Sequence, residues 1–449
     1  MIGNDVIVHA RSLIASAALV AVTSSLAACG GGSSTSTTTT TATTTRASAV
    51  SGKISIVGVW TGAEQKAFQA VLNGFTKKYP KVTVKYKSTG DNTPTVLSTA
   101  VAGGNPPDLA SVSQPGLVSD FQKKGALENM DFAKDVLAQN YPASIVDIGK
   151  INGHIYGLLI KGANKSTVWY NVASFKAAGV KPPKTWAQFT KAIDVLKASG
   201  QVPLSIGGAD GWTLTDLFEN IYLRQAGTAK YTALSKHEVK WTDPSVVKAL
   251  ETMGSILQPG NMAGGTSGAL QTDFPTSVSH VFSTDPKAAM VIEGDFVPGV
   301  VAGTNKLKPG TGYDVFPFPT IGDTAGYVEG GGDELMMFKN TPATRALVRY
   351  LATGAAQSIW AKRGGYTAPA KTVPASAYPD AITRTTATAV GKANAFVFDL
   401  SDLQPASFGA TVGQGEFKIF QDFLRSPGNA TGISKTLEAA ATRAYKKGK

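Results

Sequence analysis

Apolar positions recur along this chain in two alternating rhythms. Lys53-Ile54-Ser55-Ile56-Val57-Gly58-Val59-Trp60 is a short β-branched run and reads as a buried strand. Directly after it Ala67, Phe68, Val71, Leu72 and Phe75 fall on one helical face, and Pro80 follows the end of that helix. Val82-Thr83-Val84-Lys85-Tyr86 predicts the next strand, Thr93 to Ala102 a helix, and Pro107-Asp108-Leu109-Ala110-Ser111-Val112 a third strand. The rhythm resumes beyond Tyr156: Val168-Trp169-Tyr170 reads as a strand. Trp186, Phe189, Ile193 and Leu196 mark an amphipathic helix running from a Thr185 cap to Gly200. Further helices are expected at 214–225, 244–257, 341–353 and 434–446, and no repeat of fixed period is present. Alternating strands and helices predict an α/β fold with a largely parallel sheet and a ligand at the carboxyl ends of its strands.

A different pattern opens the chain. An apolar stretch behind Arg11 ends in Leu26-Ala27-Ala28-Cys29, which has the layout of a secretory signal and is too short to span a bilayer. Leu-Ala-Ala-Cys resembles the bacterial lipobox, whose cysteine is diacylated after cleavage. Residues 1–28 are then a signal peptide and Cys29 a lipid anchor on the outer face of the cell membrane, two acyl chains being what stable anchoring requires. The competing reading is an ordinary secretory cleavage site with an unmodified cysteine. From Gly30 to about Gly52 the chain is glycine, serine and mostly threonine with a single charge at Arg46. Such a segment buries too little to offset its ordering entropy, so 29–52 reads as a tether.

Composition narrows the rest. Roughly 420 residues follow the signal, enough for two cores. With one cysteine in the chain there is no intrachain disulfide. The charge of +12 comes from scattered lysines and arginines, with pairs such as Lys77-Lys78, Lys123-Lys124 and Lys446-Lys447 and no aromatic-interleaved basic stripe; nucleic acid is not an expected partner. Beyond the signal the histidines are His154, His237 and His280, none in a metal-ligand spacing. There is no Gly-x-Ser-x-Gly elbow, phosphate loop or dinucleotide fingerprint. No metal, cofactor or catalytic residue is expected.

Aromatic and carboxylate residues instead stand where strands end. Trp60 and Glu64 lie in the first strand-to-helix turn, Asp91 follows the second strand and Gln114 the third, and Trp169-Tyr170-Asn171 ends the strand opening the second half. Trp212, Asp216, Glu293, Asp295, Phe296 and Gly330-Gly331-Gly332-Asp333 complete the set. A sugar has apolar C–H faces and a hydroxyl rim; flat rings cover the former, and carboxylates and amides bond the latter.

Trp60-Thr-Gly-Ala-Glu64, Gly104-Asn-Pro-Pro-Asp108, Asn152-Gly-His-Ile-Tyr-Gly157, Trp169-Tyr-Asn171, Pro183-Lys-Thr-Trp186 and Ala288-Ala-Met290-Val-Ile-Glu-Gly294 follow one another in an order similar to that of the carbohydrate solute-binding proteins of ABC importers. The resemblance covers nearly all of 53–449. Gly211-Trp212-x-x-x-Asp216, Phe316-Pro-Phe-Pro319, Gly331-Gly-Asp333 and Asp399-Leu-Ser-Asp402-Leu-Gln-Pro405 resemble the α-glucoside-binding branch, which is maltose-binding-like. The resemblance implies a two-lobed, class II periplasmic-binding-protein-like fold, each lobe a mostly parallel sheet flanked by helices. Three hinge crossings, placed near 160, 327 and 368, divide 53–160 plus 328–367 from 161–327 plus 368–449. It implies a monomer that traps an oligosaccharide such as maltose or trehalose by lobe closure and delivers it to a permease driven by a separate ATPase. It makes Tyr170 a sugar-stacking ring, sets Phe296 where relatives often carry tryptophan, and adds Lys161, Arg363, Asp402 and Gln404 from the hinge and carboxyl-terminal segments.

Several of these residues have a second, purely structural reading. Glu64 stands three residues after Thr61 and completes a capping box as readily as it meets a ligand. Trp60 ends a buried strand, Glu293 fits a solvated loop, and Asp333 fits a helix amino terminus. Three other functions compete. A glycerophosphodiester or other anion binder would use Lys161, Lys165 and Arg363, a wall-polysaccharide hydrolase would use a pair such as Asp91 and Asp333, and an adhesive lipoprotein would bind no small sugar.

Overall fold

The computed structural model describes residues 50–304 and 307–447; the signal peptide, Cys29 and residues 29–49 of the tether lie outside the described residues. The first rhythm of the sequence becomes β1 (Gly52–Gly58), α1 (Gly62–Lys78), β2 (Val82–Ser88), α2 (Thr93–Ala102) and β3 (Leu109–Val112). β1 pairs in parallel with β2, from Gly52 opposite Val82 to Gly58 opposite Ser88, and with β3 from Ile56 opposite Leu109. Ile54 and Ile56 point to one face and meet Phe68, Leu72 and Phe75 of α1, so the period-two and period-3.6 patterns close on one core.

Two longer strands complete this sheet. β4 (Gly157–Asn164) and β9 (Tyr327–Met337) are apolar on both faces and buried throughout apart from the half-buried Tyr327. β9 lies antiparallel to both β3 and β4, and parallel to β10 (Ala395–Phe398). The second sheet takes its strands in the order β8 (Tyr313–Pro317), β5 (Thr167–Asn171), β7 (Met290–Ile292) and β6 (Leu204–Ser205). Here the expectation of a mostly parallel sheet needs correction: β5 is antiparallel to both neighbours, and only β6 and β7 run parallel. The cause is the passage between the lobes. β4 and β5 are one extended run interrupted only by Lys165 and Ser166, so a strand that leaves the first sheet enters the second with its direction already fixed.

The helices follow their apolar stripes. α3 (Trp186–Ala198) starts at Thr185, whose hydroxyl accepts from the Gln188 amide. α4 (Trp212–Ser235) is interrupted at Gly227, φ +78°, close to where periodicity ends at 225. α5 (Pro244–Ile256), α6 (Val297–Thr304), α7 (Pro342–Leu351) and α8 (Ala430–Lys447) complete the set used below. The second core gathers Phe189, Leu196, Phe218, Trp241 and Phe420. Beyond 368, where a third crossing is expected, Ala370, Ala377, Tyr378 and Ala387 still pack in the first core. Val397 and Leu400 pack in the second. Among the described residues no helix is long and apolar enough to cross a membrane.

Candidate ligand cleft

A cavity of about 300 Å³ lies where strand ends of both lobes converge. The first lobe contributes Trp60, Thr61 and Glu64 after β1, Asp91 after β2, Ser113 and Gln114 after β3, Lys161 from β4, and Gly332 and Asp333 from β9. The other wall holds Asp210, Trp212, Asp273, Phe274 and Phe296, with Asp399, Ser401, Asp402 and Phe417 from the carboxyl-terminal segment.

Asp333 is the best-anchored acid in the cleft. The pairing of β9 with β4 shifts register between Asp333 and Glu334, and this bulge sets Asp333 opposite Lys161. Its Oδ2 accepts from Trp60 Nε1 at 2.7 Å and lies 3.4 Å from Lys161 Nζ, while Oδ1 accepts from Ser113 Oγ at 2.7 Å. Trp60 is only 1% exposed and packs on Phe68, Tyr86 and Trp360. Both of its readings therefore hold, because the ring is core and its N–H serves the cleft. Glu64 does not form the capping box, since the Thr61 side chain makes no cap hydrogen bond; it pairs with Lys161 at 2.8 Å. Burial pulls the Lys161 ammonium down, and Glu64 and Asp333 more than reverse this, so it stays charged.

Lys165, beside the passage between lobes, is held the same way. Its ammonium bonds Asp216 Oδ1 at 3.0 Å and Asp399 Oδ2, and reaches Asp402 Oδ2 at 4.0 Å. Carboxylate oxygens of Asp216, Glu329 and Asp399 come within 4.8 Å of one another, which is metal-ligand spacing. The chain's own cation already stands among two of them. Gly331 is required here because a Cβ would lie 2.9 Å from the Lys165 stem, and Gly332 because a Cβ would lie 2.3 Å from the Lys161 carbonyl oxygen.

The far wall is aromatic and acidic. Trp212, Phe274 and Phe296 form a cluster with centroids 5.2–6.0 Å apart. Lys161 lies 5.3 Å from the centre of Phe296 and Lys165 5.7 Å from that of Trp212. Burial raises Asp91 above the ordinary carboxylate range, opposed by a hydrogen bond from Trp212 and reinforced by Glu64 and Asp273. Burial likewise pushes Asp210 up to about 7, against the Phe274 amide that donates to it at 2.6 Å and with the repulsion of Asp91 and Asp273. Between about pH 4 and 7 the folded protein then holds a proton at Asp210 that the unfolded chain has released, so this group's contribution to stability falls as pH rises through that window. Asp210→Asn is expected to raise the melting temperature at pH 8 and leave it unchanged at pH 4; equal shifts at both pH values would contradict the assignment.

Other residues proposed from sequence stand elsewhere. Tyr170 packs against Phe175 and Phe316 in the second core, with its hydroxyl 3.4 Å from Asp314, because its strand face looks into the sheet–helix layer. Trp169, on the opposite face, donates to Thr167 Oγ1 and the Gly294 carbonyl. Asp216 lies behind the wall as a Lys165 partner, and Asp295 bonds the Thr367 hydroxyl. Glu293 and Gln404 are buried outside the lining, so the solvated-loop reading of Glu293 does not hold. Arg363 is exposed and donates to the Ile359 carbonyl. Sequence reasoning missed Asp210, Asp273, Phe274, Asp399, Ser401 and Phe417 as site residues. Asp273 reads as a helix cap, which it also is, accepting from the Thr276 amide. Asp210 sits in a glycine-rich turn.

Comparison with known proteins agrees with this architecture. The bacterial extracellular solute-binding protein family matches residues 60–358. The osmoprotective compounds-binding protein GgtB of Synechocystis sp. is 32% identical over 81% of this chain and 86% of its own. The alpha-glucosides-binding periplasmic protein AglE of Rhizobium meliloti is 30% identical over 86% of this chain and 87% of its own. Among solved structures, a chitin oligosaccharide binding protein superposes with a TM-score of 0.75 at 20% identity, covering 88% of this chain and 99% of that one. RafE with raffinose gives 0.71 at 18% over 88% and 100%. At these identities the likeness is one of fold, the two-lobed class II arrangement with three crossings. A cleft between two hinged sheets, matched along most of its length by proteins that hold solutes and do not transform them, makes this chain a receptor and not an enzyme: it belongs to the bacterial extracellular solute-binding protein family.

Proposed function

We propose that this protein captures a neutral, hydroxyl-rich sugar of the α-glucoside class between its lobes and hands it to the permease of an ABC importer, tethered to the membrane through Cys29. The observation that carries the reading is the charge balance of the cleft: seven carboxylates (Glu64, Asp91, Asp210, Asp273, Asp333, Asp399 and Asp402) face two lysines, and both lysines are already paired. A phosphodiester would find no free cation among these lining residues, whereas sugar hydroxyls donate to carboxylates and their C–H faces cover Trp212, Phe274 and Phe296. The names carried by AglE and by the multiple sugar-binding protein of Streptococcus mutans support a sugar, and that of AglE its α-glucoside form.

Binding both walls stabilises the closed arrangement because the ligand's contacts differ between open and closed states. Calorimetry with maltose, trehalose, glycerophosphocholine and buffer alone tests this. The expected result is sugar affinity near micromolar, about 8 kcal/mol, and no heat from the phosphodiester. Tight phosphodiester binding with sugars silent would overturn it. Labelling with a palmitate analogue, lost in Cys29→Ala, tests the anchor.

A further inference from the structure

Outside the cavity the two lobes touch backbone to backbone. α6 leaves the second lobe directly after Phe296, a cavity wall, and packs at α1, whose first turn provides Glu64 of the opposite wall. Side chains at this seam are minimal. A Cβ on Gly303 would stand 3.7 Å from the Ala63 Cβ, and one on Gly299 would stand 3.8 Å from the Gly365 Cα. A Cβ on Gly365, where φ is +62°, would meet the Gly299 Cα and N at 3.2 Å and the Phe296 carbonyl oxygen at 3.3 Å. No other residue type lets the segments approach this closely at Gly365, where space and backbone both exclude a side chain.

A second interlobe link bounds the space on another side, where the Trp212 indole of the second lobe donates to Asp91 of the first. Between the seam and this link lies the cavity of about 300 Å³, at the lower limit of the roughly 300–1,000 Å³ found for small-molecule sites. A third sugar ring would have to part the seam or break the Asp91–Trp212 link, and either loss would be subtracted from its binding energy.

We propose that the glycine seam of Gly299, Gly303 and Gly365 fixes ligand length, so that the receptor selects disaccharide-sized sugars and rejects longer ones. This rests on the sugar-binding reading above and adds a size limit to it. The seam residues determine specificity by setting how near the lobes come, not by touching the sugar.

The test is calorimetry of the purified protein with maltose, maltotriose and maltotetraose, repeated with Gly303→Leu. Gly303 is exposed, so the leucine wedges the seam without entering a core. In the unmodified protein maltotriose and maltotetraose are expected to bind at least about 30-fold more weakly than maltose. In Gly303→Leu maltose is expected to weaken by about tenfold while maltotriose holds or tightens, narrowing the preference. Equal or tighter binding of maltotriose by the unmodified protein overturns the size limit and leaves the sugar reading standing. Heat from no sugar of any length overturns both. Loss of maltose and maltotriose affinity by the same factor in Gly303→Leu overturns the role of the seam.

Discussion

Asp333→Ala is expected to weaken sugar binding on the order of 100-fold, since hydrogen bonds to a charged group contribute about 1.5–3 kcal/mol each. Asp333 sits where the β9 bulge faces Lys161, with three donors already oriented toward it from Trp60, Ser113 and Lys161. Those donors do not vanish with the carboxylate. The Trp60 N–H and the Ser113 hydroxyl lose their acceptor, and Lys161 keeps only Glu64 beside it. Asp333→Asn separates the two contributions: it keeps an acceptor for Trp60 and removes the charge, so its affinity is expected to fall between those of wild type and alanine. Calorimetry under identical buffer checks both, and unchanged affinity in Asp333→Ala would show that the ligand lies elsewhere.

The second large effect falls on stability. Lys165→Met keeps the length of the side chain and removes its charge from among Asp216, Asp399 and Asp402, all buried. Breaking a buried ion cluster from one side typically costs about 3–5 kcal/mol because the opposite charges remain without a partner. The sign of the pH dependence follows from Asp399. Burial raises its pKa, yet Lys165 and the donors around it bring it below the ordinary value. That stabilisation is present above the unfolded pKa and is lost as pH falls through the folded one. The stability gap between wild type and Lys165→Met is therefore widest near neutrality and closes in acid. Denaturant unfolding at pH 7.5 and at pH 3.5 measures it, and a gap below about 1 kcal/mol at pH 7.5 would show that the cluster is not held by this lysine.

Local patterning made much of the fold legible. Ile54, Ile56, Phe68 and Phe75 announce a strand and a helix that share a core, and Thr185 announces the start of α3. What periodicity does not carry is partnership across distant segments. Nothing near Lys165 in sequence signals that Asp216 and Asp399 will surround it, and nothing near Trp60 names Asp333 as the acceptor of its indole N–H. The same limit explains Tyr170. Alternation says that Trp169 and Tyr170 face opposite ways, but which face meets the cleft depends on the antiparallel neighbours Asp314 and Met290, which only the assembled sheet supplies. Glu64 shows the converse. The Thr-x-x-Glu spacing is a sound local signal, and the ammonium of Lys161 outcompetes it.

The threading of β9 between β3 and β4 also bears on how the polypeptide acquires its shape during export. β3 ends at Val112 and its antiparallel neighbour does not begin until Tyr327, so the first sheet cannot close until most of the chain has emerged. Pairings so remote in sequence form slowly, because loop closure must precede any gain from contact. A nascent chain that folds late remains an open thread through synthesis, and an open thread is the form that a secretion channel can pass.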